Sequence, residues 1–391
     1  MPTFSLFLVA LVGLLTLGHG YLYRRLVGEV FERRTHRQVG AAVVAVGAIL
    51  VFTRLFSAFF RVHLPRPLAL FVGTWMGVSL YALLTLLTLG SLLSVYRLTR
   101  RLLKAACHLE PESPERRRFL AQTIAIGASA VTVGVSAYGS WRAFEPAVVS
   151  ELGVGIRNLP RGLDGLKIVQ ISDIHLGDIL QVDFFRDLIE RCNALKPDLV
   201  ALTGDLVDGS VPQLGSTAAE LMRLKTRFGT FFCTGNHEYY SGDVAWVEAL
   251  TRMGVVVLRN RHVSVGEGAV SLDLIGVDDW GQRRLRTGGG YNLAKALEGR
   301  NPERASVLLA HQPTSFPDAV NHALGLQLSG HTHNGQLFPF TLLAKAVHPY
   351  CVGHYQRADT HLYVNRGAGF WGPAMRVGSP PEITALTLMA T

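Results

Sequence analysis

Residues 167–175 read KIVQISDIH, an apolar run that ends in a carboxylate and an imidazole. Four further loops follow apolar runs in the same way, and they read TGD (203–205), TGNHE (234–238), AH (310–311) and SGHTH (329–333). Open α/β sheets place their chemistry at the carboxyl ends of buried strands. The five loops therefore predict one polar site at the end of a sheet, built from Asp, His and Asn side chains.

The segments around these loops predict helices and further strands. Residues 184–195 carry apolar side chains at helical spacing, and residues 217–227 can form a second helix. The order strand, helix, strand, helix, strand over 167–234 indicates parallel βαβ units. Residues 255–275 instead favour antiparallel hairpins around the turn at 266–268. We therefore expect an α/β (α+β) fold with a mixed sheet, or two packed sheets, flanked by helices.

The N-terminal part of the chain has a different composition. Four apolar segments, 4–22, 39–60, 68–95 and 119–138, approach or exceed the length that spans about 30 Å of hydrocarbon. We therefore expect residues 1–145 to form a transmembrane domain of about four helices, and residues 150–391 to form a separate domain.

The charge of the chain follows the same division. Residues 1–145 carry a net charge of +10, whereas the remaining residues carry −1. The basic residues flank the apolar segments, so membrane topology explains them and we expect no nucleic-acid partner. The loops 23–38 and 97–118 are rich in Arg and Lys, whereas 61–67 holds only two arginines. The positive-inside rule then places both long loops in the cytoplasm and everything after about residue 142 on the opposite face.

One basic stretch has two interpretations. Residues 116–120 read RRRFL, which resembles a twin-arginine export signal, or they simply anchor the fourth apolar segment. Both interpretations send the C-terminal domain outward.

The donor set of the five loops suits two divalent metal ions. Two dications about 3.5–4 Å apart need a bridging carboxylate, neutral imidazoles to complete each shell, and an open position for water and substrate. Asp205 lies mid-order among the loops and suits the bridge. His331 and His333 point the same way if residues 330–334 are extended. Mixed N and O donors suit Mn, Fe, Zn and similar ions, so the metal identity stays open.

The ordered set D-x-H, G-D, G-N-H-E, a lone H and G-H-x-H resembles the calcineurin-like metallophosphoesterase superfamily over about residues 165–391. The NGQ that follows the last motif, with C-terminal sequences such as PPEI (380–383), looks like its membrane-associated bacterial subgroup. The resemblance implies a four-layer αββα sandwich of two mixed sheets. Together with the four apolar segments, it predicts a multi-pass enzyme of a bacterial cell membrane, although the four-span unit departs from the simplest members of the subgroup. The positive-inside rule places its catalytic domain on the non-cytoplasmic face.

The resemblance implies a role for each motif residue. One metal would be held by Asp173, His175, Asp205 and His333, and the other by Asp205, Asn236, His311 and His331. His237 would lie near the leaving oxygen as an acid or charge stabiliser. Glu238 would lie beside it, orient its ring and raise its basicity.

The expected function is a membrane-anchored, dinuclear-metal phosphohydrolase that acts by attack of a metal-bridging hydroxide. Its partners would be the bilayer and a phosphoester substrate, with a lipid-linked phosphodiester or diphosphate among the candidates. Two alternatives stay open: a broad phosphomonoesterase or phosphodiesterase on soluble esters, and a non-catalytic metal-binding sensor domain. Arg366 and Arg376 either bind a substrate phosphate or are surface residues.

Overall fold

The computed structural model describes residues 2–60, 62–107, 113–281 and 290–391. The chain divides into two compact units, a helical unit of Met1–Trp141 with Gly372–Met375, and a mixed unit of Arg142–Trp371 with Arg376–Thr391. The predicted domain boundaries, 1–145 and 150–391, stay predictions.

Among the described residues, the helical unit contains α1 (Pro2–Tyr23), α2 (Arg34–Phe60), α3 (Arg66–Cys107) and most of α4 (Pro114–Phe144). Within the described residues, three stretches are long and apolar enough to cross a membrane: Arg34–Ser57, Arg66–Leu103 and Glu115–Phe144. They correspond to the second, third and fourth predicted segments. Several side chains of the first segment, 4–22, lie outside the described residues, so that span stays a prediction.

Helix α3 is longer than its predicted apolar segment, 68–95. Its 42 residues extend for about 63 Å at 1.5 Å per residue, about twice the thickness of a hydrocarbon core. The helix continues through a basic stretch of Leu, Arg, Lys and Ala, all of which are good helix formers. The apolar pattern therefore predicts the part of α3 that suits lipid, residues 68–95. It does not predict that the helix continues to Cys107.

The mixed unit alternates strands and helices. Its strands are β1 (Val148–Ile156), β2 (Lys167–Ile171), β3 (Leu199–Thr203), β4 (Thr230–Cys233), β5 (Val256–Val257), β6 (Arg261–Glu267), β7 (Val270–Gly276), β8 (Ser306–Leu309), β9 (Leu326–Ser329), β10 (Gly353–Arg357), β11 (Thr360–Val364) and β12 (Glu382–Ala390). Its helices are α5 (Val182–Ala194), α6 (Val211–Ala218), α7 (Asn236–Ser241), α8 (Asp243–Arg252), α9 (Leu293–Ala296), α10 (Phe316–Asn321) and α11 (Phe340–Val347).

These strands form two six-stranded mixed sheets. The first has the order β1-β12-β2-β3-β4-β5, and the second has the order β10-β11-β9-β8-β7-β6. In the first sheet β2 to β5 run parallel, while β12 runs antiparallel to β2. In the second sheet β6 and β7 form the predicted antiparallel hairpin, and β7, β8 and β9 run parallel.

Apolar side chains on both faces of the sheets produce four layers. Along β3, Leu199 and Ala201 face the second sheet, whereas Val200 and Leu202 face the helices. Buried residues of α5, α6 and α8 cover the outer face of the first sheet, and those of α9 and α10 cover the second. Strands buried on both faces are nearly continuous apolar runs, as β3 is. The αββα architecture that the sequence predicted is confirmed.

One predicted helix begins at the wrong residue. The structure has α6 at Val211–Ala218 followed by a short 3₁₀ segment, instead of a helix over 217–227. Ser210 and Gln213 form a capping box with Ser210 at the N-cap, and Pro212 occupies the first turn. These capping signals, rather than apolar periodicity, set the start of the helix.

Candidate metal centre

The five polar loops follow the carboxyl ends of β2, β3, β4, β8 and β9. Register pairs such as Ile171 with Leu202, and Thr203 with Cys233, bring the first three loops to one end of the first sheet. Leu309 pairs with Leu328, which brings the other two loops together at the end of the second sheet. The packing of the two sheets then unites all five loops in one site.

A first group of ligand-type side chains consists of Asp173, His175 and His333, whose donor atoms lie within 4.8 Å of one another. The Nε2 atom of His333 lies 3.3 Å from Asp173 Oδ1 and 3.1 Å from His175 Nε2. His175 Nδ1 faces a carboxylate oxygen of Asp208 at 3.1 Å, so Nδ1 is the donor. A neutral His175 ring therefore directs the lone pair of Nε2 towards its two neighbours.

A second group consists of Asp205, His311 and His331. His311 Nε2 lies 3.1 Å from Asp205 Oδ2 and 3.2 Å from His331 Nδ1. His311 Nδ1 donates to the carbonyl oxygen of Thr203 at 2.7 Å, which leaves Nε2 as the lone-pair atom when the ring is neutral. Asn236 begins α7, and its amide oxygen is buried and has no hydrogen-bond partner among the described residues.

The two Asp carboxylates are held by backbone donors. The His331 N–H lies 3.0 Å from each oxygen of Asp173, and the His237 N–H donates to Asp205 Oδ1 at 2.8 Å. Burial opposes ionisation, but the facing imidazoles hold the pKa of Asp173 and of Asp205 below the usual range. Because the His237 N–H binds Oδ1 of Asp205, the other oxygen, Oδ2, faces His311.

Five of the seven predicted metal ligands have a left-handed backbone. Their φ angles lie between 48° and 71°, for Asp173, His175, Asp205, His331 and His333. Non-glycine residues in this region each cost of the order of 1–3 kcal/mol and cluster at functional sites.

The loop that carries His331 and His333 differs from its predicted form. It is not extended over residues 330–334, because both histidines are left-handed while Thr332 is α-helical. The two imidazoles consequently enter different groups, rather than pointing the same way.

His237 pairs with a carboxylate that the sequence analysis missed. Its Nδ1 atom donates to Asp208 Oδ1 at 2.6 Å, the same oxygen that His175 approaches. Burial opposes the charged ring, but Asp208 and Asp205 raise the pKa of His237 to about 9. Asp208 lies three residues after Asp205 in the same loop, so the spacing G-D-x-x-D was a signal that could have indicated it.

Glu238 does not orient His237 as predicted. Its oxygens accept the backbone N–H groups of Gly235 at 2.7 Å, Leu206 at 2.8 Å and Asp205 at 3.0 Å. The carboxylate therefore fixes the loops that follow β3 and β4. The Glu238 side chain is buried where it caps the start of α7. Asp208, and not Glu238, contacts the His237 ring.

Two aromatic rings approach His237 from the side. Tyr240 and Trp371 lie edge-on to it, with ring centroids 5.2 and 5.9 Å from that of His237. Their side chains are 56% and 57% exposed. They form an apolar rim beside the polar site.

Arg376 is not the surface residue that one interpretation predicted, and Arg366 is partly exposed and forms an ion pair. Arg376 is fully buried, and its nitrogens donate to the carbonyl oxygens of Gly369 (2.8 Å from Nε) and Ser379 (3.0 Å from Nη1). Arg366 donates to the Glu382 carboxylate at 2.9 Å. Each guanidinium has a structural partner. Arg376 also lies 3.2 Å from His333 Nδ1, so it packs against a predicted ligand instead of facing a substrate.

The comparisons with known proteins agree with this geometry. The calcineurin-like phosphoesterase family matches residues 166–335, which contain all five loops. A Danio rerio protein described as "Transmembrane protein with metallophosphoesterase domain" is 35% identical, covering 98% of this chain and 89% of the relative. A Bos taurus protein of the same description is 36% identical, covering 96% of this chain and 87% of the relative. An uncharacterized metallophosphoesterase of Bacillus subtilis is 34% identical, covering 71% of this chain and 98% of the relative. The chain therefore belongs to the calcineurin-like metallophosphoesterases, which are metal-dependent phosphoric ester hydrolases, and it is a membrane-associated member.

Proposed function

We propose that the site is a dinuclear metal centre that hydrolyses phosphoester bonds. Asp173, His175 and His333 would hold one divalent ion, and His311 and His331 would hold the other. Asp205 would be shared through Oδ2, since Oδ1 already accepts a backbone N–H. The proposal is carried by the buried amide oxygen of Asn236, which lacks a hydrogen-bond partner among the described residues, together with the facing imidazole nitrogens of His311 and His331, which lie 3.2 Å apart. A second cation explains both features, because a buried polar atom without a partner is unfavourable.

The metal ions, when bound, would acidify a water molecule and stabilise negative charge on the phosphoryl oxygens. The protein would supply the proton for the leaving group. With Nδ1 donating to Asp208, protonated His237 has Nε2–H free to donate to a departing oxygen. The Asp208 carboxylate raises the pKa of this ring and so favours its protonated form. His237 is thus the general acid, and Asp208 orients it.

The proposed substrate is a phosphodiester or diphosphate, and a lipid-linked one is favoured over a soluble ester. The support is that the same chain carries three apolar helices of membrane-crossing length, which would keep the site near lipids. The exposed aromatic rings of Tyr240 and Trp371 beside His237 also suit a substrate with an apolar part. Incubating the purified full chain with a membrane lipid extract, followed by mass spectrometry of the products, would separate lipid-linked from soluble substrates.

Ligand substitutions test the proposal directly. Asp205→Asn and His331→Ala should each lower the hydrolysis of bis(4-nitrophenyl) phosphate by about 100-fold or more, since each removes a metal ligand. Elemental analysis should find about two divalent ions per wild-type chain and fewer in both variants. His354→Ala is the matched control, because His354 is exposed and contacts His361 instead of the site.

Two results would contradict the proposal. Wild-type turnover in both ligand variants would exclude the metal centre as the site of hydrolysis. Bound metal without hydrolysis of any ester would instead favour the sensor alternative.

A further inference from the structure

A basic cavity of about 430 Å³ lies in the helical unit. Its lining includes six arginines and two glutamates, an excess of four positive charges, and these are Arg24, Arg25, Arg37, Arg97, Arg117, Arg118, Glu29 and Glu32. The residues come from the π-helical segment Arg24–Gly28 and the loop after it, and from α2, α3 and α4. Membrane orientation requires basic residues in cytoplasmic loops, but it does not require them to surround one cavity.

Arg25 is more enclosed than Arg24 and Arg118, since 10% of its side chain is exposed, against 71% and 39%. Its Nη1 atom contacts the Glu29 carboxylate. Its Nε and Nη2 atoms are buried and have no hydrogen-bond partner among the described residues. Nε and Nη2 form one edge of the planar guanidinium, the edge that binds two oxygens of a carboxylate or phosphate. A ligand with paired oxygens would satisfy this edge.

The two glutamates do not neutralise the cavity. Glu29 is shared between Arg25 and Arg24, whose Nε atom lies 2.9 Å away, and Glu32 pairs with Arg118. Arg37 donates to two backbone carbonyls, at 2.7 and 2.9 Å, which fix its position and leave its charge in place. The remaining excess suits an anion with more than one negative charge.

We propose that this cavity binds a phosphate-bearing anion, either the headgroup of an anionic phospholipid or a free phosphate compound. Basic pockets between transmembrane helices are suited to anionic headgroups, because the charge is attracted while the apolar helices face the acyl chains. The cavity shares no residue with the metal centre. The inference therefore stands independently of the proposed hydrolysis.

Binding to the full chain tests the proposal. The detergent-purified protein is treated with a chelator, so that phosphate cannot be held by metal ions. Native mass spectrometry then measures retention of phosphatidylglycerol against phosphatidylcholine, and calorimetry measures binding of inorganic phosphate. The test variant is Arg25→Gln. The matched control is Arg101→Gln, which removes the same charge from an exposed position of α3 that does not line the cavity.

Wild type and Arg101→Gln should retain phosphatidylglycerol over phosphatidylcholine, and Arg25→Gln should weaken that retention at least tenfold. If instead inorganic phosphate binds, with the same dependence on Arg25, the ligand is a free phosphate compound. Arg97→Gln repeats the test from α3 if Arg25→Gln is not monodisperse. The proposal is overturned if neither probe binds the wild type, or if the cavity variants bind both probes as Arg101→Gln does.

Discussion

At the scale of single residues, one oxygen of Asp208 contacts two imidazoles with different proposed roles. His175 Nδ1 lies 3.1 Å from it and His237 Nδ1 lies 2.6 Å from it. The carboxylate thus orients a proposed metal ligand and the proposed general acid together. Removing a carboxylate that orients a metal ligand typically lowers metal affinity or activity by about 10- to 100-fold.

The Asp208–His237 contact predicts a pH dependence. An acid acts only when protonated, so activity should fall as the pH rises through the pKa of His237, which Asp208 raises towards 9. Asp208→Asn removes that negative charge, lowers the pKa of His237, and should move the basic limb of the kcat/KM profile down by about one pH unit or more. The measurement is the full pH profile of both proteins at saturating metal. An unmoved basic limb in a variant with normal metal content would exclude His237 as its source.

Removing His237 should affect poor leaving groups most. General acid catalysis contributes about 10²–10⁴-fold when the departing oxygen needs a proton, and much less when it is already a stable anion. His237→Ala should therefore lower the rate on an alkyl phosphodiester by about 100-fold or more, but lower the rate on a 4-nitrophenyl ester far less. His354→Ala, which removes an exposed ring that contacts His361 instead of the site, serves as the control. Equal losses on both esters would assign His237 to charge stabilisation instead.

The sequence predicted which loops carry the site better than it predicted the contacts within them. The motifs identified His237 as adjacent to the metal centre, and the structure brings it to His175, with ring centroids 4.6 Å apart. The same motifs assigned its orientation to the neighbouring Glu238 and missed Asp208. Adjacency in sequence does not determine contact, because α7 begins at Asn236 and turns Glu238 towards three backbone N–H groups. The contacts of His237 form only when the loops after β2, β3 and β4 pack together.

At the scale of elements, short and mainly apolar runs that end at polar loops were the strongest signal. Strand β3 is buried throughout, β2 is buried from Ile168 to Ile171, and each ends where the polar residues of its loop begin. The predicted start of α6 and the predicted extended form of the loop after β9 were wrong. Capping residues determine the first, and residues with a left-handed backbone determine the second. Hydrogen bonds at Ser210 and close packing around His331 each act on one or two residues. A periodic pattern extends over many residues and therefore does not reveal them.

The loops after β2 and β9 approach so closely that only glycine fits at position 330. A β-carbon there would collide with Ser172 Oγ and with Asp173 Oδ2. Gly330→Ala should displace the Asp173 carboxylate, lower metal content and activity together, and reduce the thermal midpoint. Gly215→Ala in α6 is the control, since its β-carbon would make only an ordinary 3.4 Å contact and alanine favours helices. Normal metal content in the Gly330 variant would show that Asp173 tolerates the shift or is not a ligand.

At the scale of the whole molecule, the proposed orientation depends on three helices and not on α1. The basic residues near the start of α2 and along the end of α3 lie in the loops 23–38 and 97–118, which the positive-inside rule assigns to the cytoplasm. On this assignment α2 would run outward, α3 would return, and α4 would run outward again. The first segment affects only the position of the N-terminus.

This order predicts that the residues after α4 lie on the non-cytoplasmic face. In a bacterial host, alkaline phosphatase fused after Glu145 should be active, because it folds only outside the cytoplasm, and green fluorescent protein at the same position should be dark. Fusions after Ser113, between α3 and α4, should give the opposite result and serve as the control. Replacing the three arginines at 116–118 with glutamine should weaken the orientation, since they hold the start of α4 on the cytoplasmic side. Fluorescence after Glu145 with no phosphatase activity would place the metal centre in the cytoplasm, and the proposed substrate would then have to be sought among cytoplasmic phosphoesters.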